Sequence, residues 1–159
     1  MSAKATLGIV LFTAFLTVGA PLNAPLAATA TPDDAFGVWR TGDQQAAVEL
    51  YPCGAYLCGQ LVWYVETRSG PEAGLDSRNP DAAQRNRPLC GVTMIAGFRR
   101  KGDGWTGGWV YDPKSGNTYS GTITPEGRDR VDLRGYVGIP LLGRTERWTR
   151  APADQARCR

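Results

Sequence analysis

No histidine occurs anywhere in the 159 residues. That removes histidine triads, histidine general bases and histidine metal ligands together, since imidazole is the side chain that titrates near neutral pH and a principal zinc donor. Charge of one sign is missing too: 18 Lys and Arg stand against 15 Asp and Glu. A nucleic-acid binder would carry a basic face, whereas these arginines are scattered, so no nucleic-acid partner is expected. The serines have no base partner, and no two carboxylates recur in a setting suited to paired acid–base work. The expectation is a protein that is not an enzyme and carries no cofactor and no metal.

Long apolar runs are absent except at the start. Residues 5–20 are almost wholly apolar or small, Lys4 is the one charge before residue 31, and Ala28-Thr29-Ala30 has the small-x-small pattern of a signal peptidase site. A secretory leader over residues 1–30 is the reading. The alternative is a retained membrane anchor, for which an apolar run of about 16 residues falls short of the usual span of about 20. The remainder divides into one domain over residues 31–150 and a C-terminal tail over residues 151–159. A periplasmic or secreted location follows, with no stable membrane insertion after cleavage. Oligomeric state leaves no sequence signal.

Cysteine is sparse but even in number: Cys53, Cys58, Cys90 and Cys158. In an exported chain this reads as disulfides, and four cysteines allow three connectivities. The favoured pairing is Cys53–Cys58 across the turn Gly54-Ala55-Tyr56-Leu57, with Cys90–Cys158 pinning the C-terminus. A four-cysteine zinc site would show paired short spacings, which are missing.

Alternation of period two is plentiful. Ala46, Val48 and Leu50 share one strand face, as do Leu57, Gly59, Leu61, Trp63 and Val65. Val92, Met94 and Ala96 form another inward set, followed by Trp105, Gly107, Trp109 and Tyr111. Tyr119, Gly121 and Ile123 come next, then Val131, Leu133, Gly135 and Val137, and a last strand over residues 141–150. Gly102-Asp103-Gly104, the Asp112-Pro113 stretch through Gly116, and Pro125-Glu126-Gly127 are turn signals. Roughly eight short strands at this spacing predict an all-β antiparallel sandwich or barrel, and successive hairpins favour an up-and-down meander closed on itself.

One polar stretch, residues 76–91, interrupts the alternation. Asn79-Pro80 has the form of a helix start, with Asn79 as cap, Asp81 in the first turn, Arg85 and Arg87 near the far end, and Pro88 ending it. The expectation is one short helical insert between strands. Asp76, Asn79, Asp81, Arg85 and Arg87 either form a lid over one barrel mouth or only cap and pair locally.

Several motifs occur in a fixed order: Gly37-x-Trp39, Cys58-Gly59, Asp76-x-x-Asn79-Pro80-Asp81, Arg85-x-Arg87-Pro88-Leu89-Cys90-Gly91, Tyr111-Asp112-Pro113, Gly116-x-x-Tyr119, Arg134-Gly135-Tyr136 and Gly143-Arg144-Thr145-x-x-Trp148. Over about residues 36–150 they resemble the bacterial exported family called domain of unknown function 2147. The resemblance implies a lipocalin-like eight-stranded barrel and a periplasmic or secreted location, and supplies no ligand or activity. Gly37-x-Trp39 is also similar to the lipocalin first-strand signature, in which an arginine of the last strand covers the tryptophan; Arg147 or Arg150 is placed to do so.

Within such a barrel, Trp63, Trp109, Tyr136, Arg144 and Glu146 are the candidate ligand-binding residues. Arg144 and Glu146 share a face with Leu142 and Trp148. If that face is inward, Arg144 either orients an anionic head group or pairs internally with Glu146; in the opposite register both are exposed. The five tryptophans line a pocket or fill the core, since an eight-stranded interior is barely wide enough for its own side chains. Two functions stay open: a binder of a small apolar or amphipathic ligand, and a non-enzymatic envelope or protein-interaction module with a filled barrel. A cavity of roughly a few hundred Å³ separates them.

Overall fold

The computed structural model describes residues 29–158, so nearly all of the leader assigned to residues 1–30 lies outside the described residues. Eight antiparallel strands close into a barrel: β1 (Gly37–Arg40), β2 (Ala46–Cys53), β3 (Tyr56–Tyr64), β4 (Thr93–Lys101), β5 (Gly104–Asp112), β6 (Asn117–Pro125), β7 (Arg130–Tyr136) and β8 (Arg144–Arg150). Each strand pairs with the next, and β8 returns to β1 through Trp39 opposite Arg150 and Arg40 opposite Thr149. In this up-and-down order the β1–β2, β3–β4, β5–β6 and β7–β8 connections gather at one end, and the other connections at the opposite end.

The two ends differ. One is plugged by side chains that every strand face delivers: Trp39, Leu50, Leu57, Ile95, Phe98, Ile123 and Val131 are all essentially inaccessible. A 3-10 turn, Pro32–Ala35, crosses this end. Trp105 donates from Nε1 to the Pro32 carbonyl at 2.8 Å, and Trp39 donates to the Ala35 carbonyl at 2.7 Å. Arg150 covers the Trp39 ring at 3.8 Å and donates to the carbonyls of Phe36, Asp34 and Arg128. Of the two arginines expected to take this place, Arg150 does; Arg147 pairs with Asp132 on the surface.

Strict alternation fails in three strands: β4 shifts against β3 on either side of Gly59, which puts Ile95 and Phe98 rather than Ala96 in the core, and β3 and β5 each carry a bulge. In β3, Leu61 opposes Val48 and Trp63 opposes Ala47, so Val62 is the extra residue. Leu61 and Tyr64 therefore point inward, while Trp63 turns outward under the Arg40 guanidinium, 4.0 Å away. In β5, Thr106 opposes Thr122 and Gly108 opposes Gly121, leaving Gly107 as the extra residue at φ +77°, a backbone state open to glycine at little cost. Trp105 and Val110 then face in, and Trp109 faces out and is 40% exposed. Trp63 and Trp109 were expected at an internal ligand site; neither lies there.

The insert between β3 and β4 also differs in detail. Its helical part is a single 3-10 turn, Ala82–Gln84, capped by Asp81, whose carboxylate accepts from the Ala83 N–H at 3.0 Å. Asn79 is not the cap. Both expected disulfides are formed, Cys53–Cys58 and Cys90–Cys158, with Cα separations of 5.8 and 5.9 Å. The second holds the C-terminal tail against β3, where the Cys158 N–H donates to the Val62 carbonyl at 2.7 Å.

Candidate functional site

The end opposite the plug is open. It holds a cavity of about 990 Å³. Leu61, Leu89, Val110, Leu133 and Trp148, all buried, form its floor, and Ala46 and Gly135 keep its walls thin. Tyr64, Met94 and Tyr119 line it higher up. Tyr119 lies on the inward face that alternation predicts for β6. Tyr64 was legible only with the Val62 bulge in hand.

The mouth is polar. Lys114 reaches across from the β5–β6 turn to Asp43 in the β1–β2 turn at 2.6 Å. Partial burial pushes the Asp43 carboxyl up, but bonds from Lys114, the Thr41 hydroxyl and the Gln45 N–H outweigh it and hold the group at about 2. Arg68 pairs with Glu66, and Arg78 donates to the Lys114 carbonyl.

Arg144, Glu146 and Trp148 lie on one face of β8, opposite Gly135, Leu133 and Val131 of β7, and all three line the cavity. The inward register is therefore the observed one, and Tyr136 stands beside them at the mouth. An Arg144–Glu146 ion pair, one of the alternatives the sequence left open, is not formed. Glu146 instead accepts from Trp148 Nε1 at 3.1 Å. The described residues hold six ion pairs, and Arg144 is in none of them. The Trp148 indole N–H engages the Glu146 carboxylate in its place.

The insert is fastened to the barrel by a buried network rather than by surface pairs. Asp76 is 1% exposed. It accepts from Arg87 Nε at 2.9 Å and Nη2 at 2.8 Å, from Asn79 Nδ2 at 2.8 Å, and from the Tyr111 hydroxyl of β5 at 2.6 Å. Burial, together with the Asp76 charge and hydrogen bond, pushes the Tyr111 hydroxyl well above its ordinary value. Asn79 also accepts from the Asp81 N–H, and Arg85 donates to the Asn79 carbonyl. Backbone meets backbone at Gly116, where a Cβ would sit 2.0 Å from the Arg78 carbonyl oxygen. The insert thus forms one fixed side of the mouth. Outside the barrel, a smaller hollow of about 430 Å³ lies between the insert and Trp109.

Over residues 37–150 the sequence matches the family described as "Uncharacterized protein conserved in bacteria (DUF2147)". The chain belongs to this family. The DUF2147 span runs from the first residue of β1 to the last of β8 and includes the whole insert, so it is the complete barrel; Cys158 lies beyond it. Among solved structures, the chain is similar to HP1028 from Helicobacter pylori, described as belonging to the lipocalin family, at TM-score 0.65 and 20% identity over 79% of this chain and 86% of that one. At that identity the likeness is one of fold, and it agrees with a lipocalin-like DUF2147 barrel. No curated protein matches the chain.

Proposed function

We propose that the protein is an exported, non-enzymatic binder of a small amphipathic molecule. The observation that carries this reading is the open cavity of about 990 Å³, with an apolar floor and at its mouth an arginine that has no ion-pair partner among the described residues. That volume is at the upper end of ordinary small-molecule sites, which are mostly apolar with a few placed polar groups. The apolar tail would lie against Leu61, Val110, Leu133 and Trp148. An anionic head would meet Arg144, with the Tyr136 side chain beside it. A filled barrel, the competing reading, leaves this volume unexplained. The two disulfides and the bacterial family are compatible with export.

The test is titration of delipidated protein with a fluorescent fatty-acid probe, on wild type and Arg144→Met. Saturable binding is expected, with affinity lowered about 10- to 100-fold in the variant, the loss of a hydrogen bond to a charged group. Because Arg144 pairs with no carboxylate among the described residues, the melting temperature of the variant should be unchanged. No saturable binding by wild type would end this reading.

A further inference from the structure

The β7–β8 loop carries an apolar patch at the lip of the cavity. Val137, Ile139, Leu141 and Leu142 are 72%, 54%, 82% and 76% exposed. Single exposed apolar side chains are ordinary, but several together on one short loop call for a partner. The loop is braced rather than slack. It contains the 3-10 turn Pro140–Leu142, and Arg134 donates from behind it to the Pro140 carbonyl at 2.8 Å, the Leu141 carbonyl at 3.2 Å and the Thr145 hydroxyl at 2.9 Å. Val137 and Leu142 also line the cavity, so the patch runs into its mouth. Arg134 and Arg144 flank the loop, and no acidic residue lies between them.

We propose that this lip docks on the surface of an anionic phospholipid bilayer. Apolar tips at the acyl boundary with arginines beside the lipid phosphates are the makeup of an interfacial anchor. The charge fits: Arg144 has no ion-pair partner among the described residues and lies where a lipid phosphate would meet it. The far rim, with Asp43, Glu66, Arg68 and Lys114, is charged and stays in water. Only one side of the mouth therefore enters the lipid, which tilts the cavity toward the membrane without sealing it. A bilayer is also the surface from which an amphipathic ligand would be drawn or to which it would be delivered. Docking needs no ligand in the cavity, and Ile139 and Leu141 lie outside the cavity lining, so the serine variant tests this proposal apart from the binding reading, which shares Arg144 with it.

The barrel, both disulfides and the lip all lie within residues 31–158, so the experiment uses a chain beginning at Thr31, free of the apolar leader. Flotation is measured with vesicles of phosphatidylethanolamine and phosphatidylglycerol, and with pure phosphatidylcholine vesicles. Wild type should float with the anionic vesicles. Ile139→Ser combined with Leu141→Ser should lower partitioning about tenfold or more. Arg144→Gln should lower it about fivefold on the anionic vesicles and little on phosphatidylcholine. Thermal melts should match wild type, since these side chains are exposed. Wild type that stays with the soluble fraction, or a serine variant that floats as well as wild type, overturns the proposal. So does a concentration-dependent dimer in sedimentation that the serine substitutions abolish without any flotation, which would assign the lip to a second copy of the chain.

Discussion

At the scale of single residues, Asp76 decides how the insert should be understood. Its carboxylate is buried and satisfied by Arg87, Asn79 and Tyr111. Tyr111→Phe should cost about 1.5–3 kcal/mol, as for a hydrogen bond to a charged group. Arg87→Gln should cost about 2–3 kcal/mol, less than the loss from a fully buried pair because the guanidinium is partly in water, while Arg85→Gln should cost under about 1 kcal/mol. Chemical denaturation of the three variants checks the order. The Tyr111 hydroxyl is pushed above its unfolded value near 10, so its contribution is complete below about pH 10 and declines as pH rises through the folded value. Melts against pH should therefore show a constant wild-type advantage over Tyr111→Phe up to about pH 10 and a shrinking one above. The five polar residues of the insert were legible as a group, because an Asn-Pro-Asp helix start and clustered arginines break the surrounding alternation. Their anchor was not. Tyr111 lies 35 residues from Asp76, and nothing local in either segment announces the other.

At the scale of elements, the barrel was legible because turn signals and alternation repeat down most of the chain. What alternation cannot carry through is a bulge, since one extra residue exchanges the two faces for the rest of the strand. Val62 and Gly107 each do this, and they moved Trp63 and Trp109 to the outside. Gly107-Gly108 was a visible hint of a bulge; the Val62 site offered none. β6 and β7 have no such interruption, and there Tyr119, Gly121, Leu133 and Gly135 face inward as alternation requires. The β1–β8 seam is the shortest ladder, with two paired positions, and Arg150 ties it to the crossing turn. Arg150→Ala should lower stability by about 3–5 kcal/mol, summing charged hydrogen bonds and the contact with Trp39. Arg150→Lys should recover less than half, since an ammonium cannot reach three carbonyls in fixed directions. Denaturant midpoints on the two variants test this.

At the scale of the whole molecule, a plugged end and an open end follow from where the chain spends its large side chains. Trp39, Phe98 and Trp105 fill one half, while Ala46, Gly135 and a wide ring of loops leave the other half hollow. That Arg144, Glu146 and Trp148 share one face of the last strand was legible from their spacing; that this face points inward was not, because the register of β8 against its neighbours leaves no local signal. The size of the hollow was not, because it depends on how far the insert and the β7–β8 loop stand from each other. Native mass spectrometry of protein purified from its own cells is the sharpest check on whether the hollow holds a ligand. A ligand-binding barrel should carry a stoichiometric non-covalent adduct, on the order of a few hundred daltons as suits such a pocket, lost on delipidation and restored by an added amphiphile. A bare polypeptide that takes up no amphiphile under the same gentle conditions would contradict it.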